Sequence, residues 1–423
     1  MTVHRHAPTI GVELVTALLI FTTYSGAQNL SPVLTTIYGF TGTPDGEIPE
    51  GCLAIGSSGV LYGTTFYGGT YGFGAVFSLT PPASQGGSWD ETVLYSFQGA
   101  GDGGYPSATL AIGRDGTLYG TTGGDEPSNA GTVFSLTPPS SVGGAWTENV
   151  LYAFAGAYLV GPAGVAIRRN GALYGTTAGG GGGVCSQGCG TVFSLTPSGS
   201  PGGTWRETVL YAFTGGADGS LPAGIVIGDG DILFGTTADG GTYALGTVFS
   251  LTPPASPGTA WTETVLHSFY GLDGNGPERP VVIGAGGVLY SSTNGGGAFA
   301  GGTVFSLAPP AFPGGAWTAS VLHNFQQGDN YPVPGPVTFG RDGVLYGMTQ
   351  SGGEARHGTI FALRPPTSPG GPWTYVPLYV FGQSGGALPM GGLVAGSGGV
   401  LYGTTSLYYG TSSYTGTVFT LTP

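Results

Sequence analysis

Short apolar runs and polar turns alternate along almost the whole chain, and the same order of runs returns about every 56 residues. The run Leu-Tyr-Gly-Thr-Thr, or a close variant, occurs seven times at intervals of 55 to 60 residues. Its copies begin at Leu61, Leu118, Leu173, Leu233, Leu289, Leu345 and Leu401. Variants of Gly-Thr-Val-Phe-Ser-Leu follow each copy, and variants of Val-Leu-Tyr-x-Phe precede the next. Self-similarity at a fixed period predicts a repeat architecture.

Each repeat contains four runs that are typical of β-strands. They are rich in β-branched and aromatic residues, and Gly, Asp-Gly and Pro-Pro turns separate them. In the second repeat they span residues 108–112, 117–122, 132–137 and 146–154. Four antiparallel strands per repeat indicate a β-propeller blade. The 423 residues less the first 27 leave 396, or 56.6 for each of seven blades, so we predict one all-β, seven-bladed domain over residues 28–423.

The two ends of the repeat region predict how the ring closes. The repeats begin with the run that ends a repeat, over residues 33–40, and finish with the third run, over residues 416–423. The first strand therefore lacks its own blade, and the last blade lacks its outer strand. Pairing the two removes both free sheet edges and closes the ring. An open solenoid, the alternative, requires atypical capping repeats with a polar outer face, and neither end shows one.

Composition supports a folded, turn-rich protein and excludes several classes of partner. The chain has 87 Gly and 32 Pro, but only 7% of its residues are charged and 12% are aromatic, which argues against disorder. The net charge is −13, and the nine basic residues are all Arg and scattered. Nucleic acids bind through many basic contacts, so neither nucleic acid nor anionic lipid is an expected partner. The acidic balance favours cations or cationic partners.

The first 27 residues have the layout of a secretory signal peptide. Arg5 precedes an apolar run over residues 14–24, and Ser25-Gly26-Ala27 supplies small residues at a cleavage site. The run is too short to span a bilayer as a helix. We therefore predict a mature monomer without a membrane span, secreted into the medium or released into the periplasm.

The chain has three cysteines, and their spacing predicts one disulfide. Cys185 and Cys189 lie four residues apart within a glycine-rich run that can turn tightly enough to bring them together. In an exported protein this spacing predicts a local disulfide. A zinc site requires two further ligands, and no His or Cys lies nearby in sequence. Cys52 is expected to be a small buried apolar residue with a free thiol.

The combined motif Leu-Tyr-Gly-Thr-Thr…Gly-Thr-Val-Phe-Ser-Leu-Thr-Pro-Pro…Gly-Gly-x-Trp-x-Glu-x-Val-Leu-Tyr-x-Phe resembles the GloVer (Gloeo/Verruco) repeat family of exported bacterial proteins. The resemblance covers about residues 33–423 and all seven copies. It implies export and a propeller. It implies no established activity and carries over no catalytic residues.

Candidate chemistry is confined to loops on one face of the predicted ring. The connectors between blades and the loops after Leu-Tyr-Gly-Thr-Thr should emerge together, on what we call the top face. Each of five connectors carries an aspartate: Asp45, Asp102, Asp218, Asp273 and Asp329. These could form a ring of Ca²⁺ ligands, but Asp-Gly is also ordinary turn chemistry, which we favour. We expect no other metal or cofactor. The inner strands contain no His, Asp or Glu, which argues against an acid–base or metal site there.

One sector of the top face is unusually aromatic. The loop after Leu-Tyr-Gly-Thr-Thr in the first blade holds Phe66, Tyr67, Tyr71 and Phe73, and that in the last blade holds Tyr408, Tyr409 and Tyr414. Ring closure makes these blades neighbours, and the connector between them adds Asp45, Glu47 and Glu50. Aromatic planes beside carboxylates suit a sugar, whose C–H faces stack while its hydroxyls hydrogen-bond. A cationic peptide would also fit. Equally, these rings could only pack the longer loops against each other.

Three functions are therefore open. The favoured one is a secreted binding or interaction propeller without catalysis, with a glycan or a protein as ligand. The second is a carbohydrate-active hydrolase or lyase that uses Glu47 and Glu50, because such enzymes need two converging carboxyl groups. The third is a structural protein of the cell envelope or matrix. The Trp-x-Glu pair that begins four of the outer strands recurs too regularly to be one active site and is interpreted as structural.

Overall fold

The fold is seen in a computed structural model that describes most of the repeat region. The described residues are 32–84, 86–99, 101–124, 129–141, 143–155, 161–197, 204–256, 258–312, 314–326, 335–368, 370–382, 386–407 and 415–423. They belong to one compact unit, Pro32–Pro423. The predicted signal peptide, residues 1–27, lies outside the described residues.

The strands fall into four classes according to their place in a blade. The innermost strands are β2 (Ala54–Ile55), β6 (Ala111–Ile112), β10 (Pro162–Ile167), β14 (Ser220–Ile227), β18 (Val282–Ile283), β22 (Thr338–Phe339) and β26 (Val394–Ala395). The second strands are β3 (Leu61–Thr65), β7 (Leu118–Thr121), β11 (Leu173–Thr177), β15 (Leu233–Asp239), β19 (Leu289–Thr293), β23 (Leu345–Thr349) and β27 (Leu401–Thr405). The third strands are β4 (Ala75–Thr80), β8 (Asn129–Thr137), β12 (Thr191–Thr196), β16 (Thr247–Thr252), β20 (Ala300–Ala308), β24 (Thr359–Arg364) and β28 (Thr417–Thr422). The outer strands are β5 (Asp90–Ser96), β9 (Thr147–Ala155), β13 (Arg206–Ala212), β17 (Thr262–Ser268), β21 (Thr318–Gln326), β25 (Thr374–Val380) and β1 (Val33–Gly39).

These strands form seven antiparallel four-stranded sheets, which are the blades of a β-propeller. Blade 1 contains β2 to β5, and the numbering continues along the chain to blade 7. Short 3₁₀ turns join the innermost and second strands of five blades; they are Ser57–Gly59, Asp229–Asp231, Ala285–Gly287, Arg341–Gly343 and Ser397–Gly399. The predicted fold class is confirmed.

Blade 7 is completed by the first strand of the chain. Its order is β1-β28-β27-β26, and the register pairs Val33 with Thr422 and Gly39 with Thr417. The amide of Phe40 continues the pairing by donating to the Gly416 carbonyl oxygen at 3.1 Å. The predicted closure is confirmed: β1 covers the edge of β28 and gives blade 7 four strands like the other blades.

Seven apolar clusters, one between each pair of neighbouring blades, form the core. In the cluster between blades 7 and 1, Phe40 and Val418 of one blade pack with Leu61 and Phe77 of the next. The six other junctions repeat this arrangement. Burial of apolar surface at about 25 cal/mol per Å² therefore stabilises junctions between blades rather than one central core.

The glycine of Leu-Tyr-Gly-Thr-Thr is required by the adjacent strand. Gly63 pairs with Phe77, and a Cβ atom at Gly63 would lie 2.5 Å from Cζ of that ring. The same close approach recurs at Gly120, Gly175, Gly235, Gly347 and Gly403. In blade 5 the position is Ser291.

The disulfide expected from sequence is present. Cys185 and Cys189 are bonded in the top loop of blade 3, and that loop is tied to the next connector by the Val184 amide, which donates to the Thr214 carbonyl oxygen at 3.0 Å. Cys52 is free, but it is only half-buried, and its Sγ accepts a hydrogen bond from the Gly392 amide at 2.9 Å. It is therefore more accessible than the sequence suggested.

Non-reducing mass spectrometry of exported protein should find Cys185 linked to Cys189 and an alkylating reagent on Cys52 alone. We expect alkylation of Cys52 to be slower than that of a free cysteine, because its neighbours partly cover the sulfur. The stabilisation from so short a loop should be modest, below the roughly 3 kcal/mol of a 15-residue loop. Rapid labelling of all three cysteines without reductant would contradict the assignment.

Candidate ligand-binding face

The top face is held together by pairing between two kinds of loop. In the first blade the Glu47 amide donates to the Tyr67 carbonyl oxygen at 2.8 Å, and the Tyr67 amide donates to the Glu47 carbonyl oxygen at 3.1 Å. In blade 7, Ala387 and Leu407 exchange the same two bonds. In both blades the connector is thereby fixed to the loop that follows the second strand of the blade it enters. Side chains on these loops stand on a rigid scaffold.

Four rings of the first sector are in mutual contact. Tyr67 lies 4.8 Å from Phe66 and 5.5 Å from Tyr105 between ring centroids, and Tyr105 lies 5.3 Å from Phe66 and 5.7 Å from Phe73. Tyr67 remains 43% exposed, and Tyr71 of the same loop is 55% exposed. We call Phe66, Tyr67, Tyr71, Phe73 and Tyr105 together the aromatic platform. Sequence reasoning missed Tyr105, whose signal was its place in the Asp-Gly-Gly-Tyr-Pro connector to blade 2.

The contribution of the last blade to this sector stays a prediction. Tyr408, Tyr409 and Tyr414 lie outside the described residues. The described part of the platform belongs to the loops of blade 1 and the connector to blade 2.

The three predicted acids of the first connector have separate environments. Asp45 is only 6% exposed, and its carboxylate accepts hydrogen bonds from the Tyr38 hydroxyl at 2.7 Å and from the Thr41 hydroxyl at 2.9 Å. It also accepts from the Thr41 amide, so it holds the connector and does not face solvent. The Glu47 side chain lies over Gly42. Glu50 instead lines the central channel.

The other connector aspartates repeat the bonding of Asp45. Asp102 accepts from the Tyr95 hydroxyl at 2.7 Å, and Asp218 accepts from the Tyr211 hydroxyl at 3.1 Å. Asp273 makes the same contact with His267, whose Nε2 lies 2.6 Å away. Asp329 lies outside the described residues. Each described aspartate is thus a connector anchor, and the described residues include no cluster of three or more His, Cys, Asp or Glu arranged for a metal.

The Glu of the Trp-x-Glu pair lies against these anchors from the neighbouring blade. Burial is the main cause that raises the pKa of Glu91, Glu148 and Glu263 to about 7 each. The nearby negative charges of Asp45, Asp102 and Asp218 raise it further. One oxygen of each glutamate, Oε1, is buried without a hydrogen-bond partner. These carboxyl groups therefore lie in blade junctions, as the structural interpretation of the pair requires.

The central channel opens on the top face as a cavity of about 560 Å³. All seven blades contribute small or apolar residues to its wall, and the charged residues that line it are Glu50, Glu278 and Arg279. Cys52 lies in the same wall. The inner strands do lack acids, as the sequence indicated, but the three charged residues come just before those strands. The channel therefore carries ionisable groups that a search of the strands alone could not find.

A second exposed apolar patch lies on the top face, over blades 4 and 5. Tyr243 and Tyr270 are 60% and 53% exposed, with ring centroids 6.4 Å apart. Leu272 and Phe299 are exposed nearby in sequence, on the same connector and on the next loop. The opposite face has a cavity of about 1230 Å³ that is lined in part by the ion pair between Arg168 and Asp231. In that pair, Nε of the arginine donates to Oδ1 at 2.7 Å.

The model of a protein family, the Gloeobacter/Verrucomicrobia repeat, matches two overlapping stretches of this chain, residues 20–231 and residues 161–419. This chain belongs to that family. The resemblance drawn from its motifs is thereby confirmed over nearly the whole repeat region. No curated protein matches the chain.

Solved structures share the fold of this Gloeobacter/Verrucomicrobia repeat protein at low identity. A candidate 6-phosphogluconolactonase from Bacteroides uniformis is 18% identical with a TM-score of 0.51, covering 81% of this chain and 88% of that one. The extracellular domain of a candidate hybrid two-component system from B. thetaiotaomicron is 11% identical with a TM-score of 0.53, covering 93% of this chain and 42% of that one. These likenesses show the propeller fold alone. In the described part of the chain, no helix has the length and apolar character to cross a membrane.

Proposed function

We propose that this protein is an exported propeller that binds carbohydrate on the aromatic platform of its top face. The observation that carries the proposal is the exposure of Tyr67 and Tyr71 on one loop, with the ring of Tyr67 packed against Phe66 and Tyr105. Phe66 and Tyr105 fix the orientation of Tyr67 before any ligand arrives. A ring held in place loses little conformational entropy on binding, and this favours affinity.

The chemistry of the platform suits a sugar better than a flat apolar ligand. The C–H face of a pyranose stacks on an aromatic plane, while the tyrosine hydroxyls can exchange hydrogen bonds with the sugar hydroxyls. The described platform has no basic residue. Export is supported by the leader-like residues 1–27 and by the disulfide between Cys185 and Cys189, which is typical of oxidising compartments.

Replacing Tyr67 and Tyr71 together by Ala should remove carbohydrate binding without unfolding the ring. In affinity gels that contain xylan, mixed-linkage β-glucan or homogalacturonan, we expect the retarded wild type to lose its retardation. Each stacked ring contributes on the order of 1 kcal/mol, so the dissociation constant should weaken about tenfold or more. Because both side chains are largely exposed, the melting temperature should stay within about 2 °C of wild type.

Phe312→Ala is the matched control for this double variant. Phe312 is an aromatic residue that is 68% exposed, but it lies in a loop on the opposite face. Its removal should leave binding unchanged. Unchanged binding by the tyrosine variant would refute the proposed site, and a steep fall in its melting temperature would show that the platform is loop packing.

A further inference from the structure

Arg279 is a single cationic side chain in a ring of small residues. It stands three positions before Val282, which pairs with Tyr290 in blade 5. The equivalent positions of the other blades, fixed by the same pairing, are all Gly or Ala: Gly51, Ala108, Ala163, Ala223, Gly335 and Gly391. The fold therefore does not require a long side chain at this position.

The guanidinium of Arg279 is partly buried and lacks a partner. Its Nε is covered and makes no hydrogen bond, and it forms no ion pair within the described residues. A buried donor without an acceptor costs about 1–3 kcal/mol, and more when it is charged. The planar fork of arginine donates best to a carboxylate or a phosphate, with two parallel bonds. An unpaired arginine in a channel wall thus indicates an anionic ligand group.

Blade 5 departs from the repeat in a way that fixes the backbone of Arg279. Ser291 replaces the glycine of the other second strands, and its Oγ donates to the carbonyl oxygens of Arg279 at 3.1 Å and Pro280 at 3.2 Å. Thr236 of blade 4 donates a further bond, at 3.0 Å, to the Arg279 carbonyl oxygen. These bonds hold the arginine at the channel wall, so Ser291 is a positioning residue.

Glu50 of blade 1 is a second charged group of the cavity, whose wall also includes Glu278 next to Arg279. Burial raises its pKa, and the positive charge of Arg279 lowers it, which shows that the two groups sense each other within the channel. They do not form an ion pair within 4 Å among the described contacts, and both line the same cavity, so both are available to a ligand there. A carboxyl group whose charged form is disfavoured suits a neutral hydroxyl donor better than an ammonium group.

We propose that this cavity binds a sugar acid, whose carboxylate pairs with Arg279 and whose hydroxyl donates to Glu50. The inference rests on the proposed carbohydrate function and names the class of sugar. A volume of about 560 Å³ lies within the usual range for small-ligand pockets, roughly 300–1,000 Å³. Small apolar residues with a few placed polar groups are the usual lining of such pockets.

Binding of D-galacturonate and D-glucuronate by the full mature chain tests this site, with D-galactose as the neutral comparison. Calorimetry gives the affinity, and protection of Cys52 from alkylation gives an independent readout, because Cys52 lines the same cavity. We expect a uronate to bind and to slow alkylation, and galactose to bind at least tenfold more weakly. Arg279→Ala, which copies blades 2 to 4, should weaken uronate binding by about 30-fold or more.

Ser291→Gly restores the repeat sequence in blade 5 and should weaken uronate binding about three- to tenfold, through loss of one or two hydrogen bonds to the backbone. It should leave the melting temperature nearly unchanged. Equal binding of galactose and uronate, or full binding by Arg279→Ala, would overturn the proposal. The proposal would also be overturned if free L-glutamate, added as a ligand, protected Cys52 from alkylation better than any uronate.

The platform variant separates this inference from the proposed function. If Tyr67→Ala with Tyr71→Ala loses polysaccharide retardation but still binds free uronate, both proposals stand. If polysaccharide retardation depends on the tyrosines while no uronate binds to wild type, the channel inference fails alone. If uronate binds but the tyrosine variant retains full retardation, the proposed platform site is refuted and the channel inference stands.

Discussion

A chain that begins at Thr41 should fail to form a stable soluble monomer. Its deletion removes β1, which provides the outer strand of blade 7, and Phe40, which packs in the cluster between blades 7 and 1. Loss of a buried Phe side chain alone costs about 3–5 kcal/mol. The unpaired edge of β28 would also become a template for pairing with other chains. Size-exclusion chromatography should therefore show aggregates, and the cooperative thermal transition should be lost or fall by more than about 10 °C.

A chain that begins at Pro32 is the matched control, because it keeps β1 and removes only the segment before the ring. Its melting temperature should equal that of the mature protein. A synthetic peptide of residues 32–41, added in trans, should restore the monomer of the shorter chain by strand addition. An equally stable Thr41 chain without the peptide would show that β1 does not close the ring in solution.

The ring should be more stable at pH 5 than at pH 8. Glu91, Glu148 and Glu263 have a pKa of about 7 in the fold, raised from the ordinary value of 4.5 mainly by burial. Between these two values the folded state binds more protons than the unfolded state, so stability falls as the pH rises and becomes level above about 7. We expect the melting temperature to decrease by several degrees, about 5 °C, from pH 5 to pH 8.

Replacing the three glutamates by Gln should remove most of this slope, because Gln resembles the protonated acid and carries no charge at any pH. The melting temperature of the triple variant should equal that of wild type at pH 5 and exceed it at pH 8. Glu354→Gln, at an exposed position on a top loop, is the control and should leave the slope unchanged. A wild-type melting temperature that rises between pH 5 and pH 8 would contradict the assignment.

The sequence determined the fold more fully than the site, for a physical reason. The blades share the same kind of local contact, such as that of Gly63 with Phe77. The same sequence pattern therefore predicts the same strand order in each of the seven repeats. Ring closure followed from the two incomplete ends. The disulfide followed from a spacing of four residues. These are all local features, or features repeated in every copy.

The site depends instead on positions where the repeats differ and on contacts across the ring. Glu50 and Arg279 come from blades 1 and 5, and only the closed ring brings them to one channel. Asp45 looked like an exposed acid, but Tyr38 and Thr41 of the same connector region occupy its carboxylate. Tyr105 belongs to the next connector in the chain. Sequence patterns could locate the first aromatic loop, but not the partners that the packing supplies.

The strand pairing at the seam also determines how the protein can be mounted. Val33 lies opposite Thr422, and both belong to the strand ends farthest from the top loops. A tag, a tether or a fused domain added at either end of the ring would therefore emerge on the side away from the aromatic platform. On a sensor chip loaded through a tag at either end, the sugar-binding loops should point into the flowing solution.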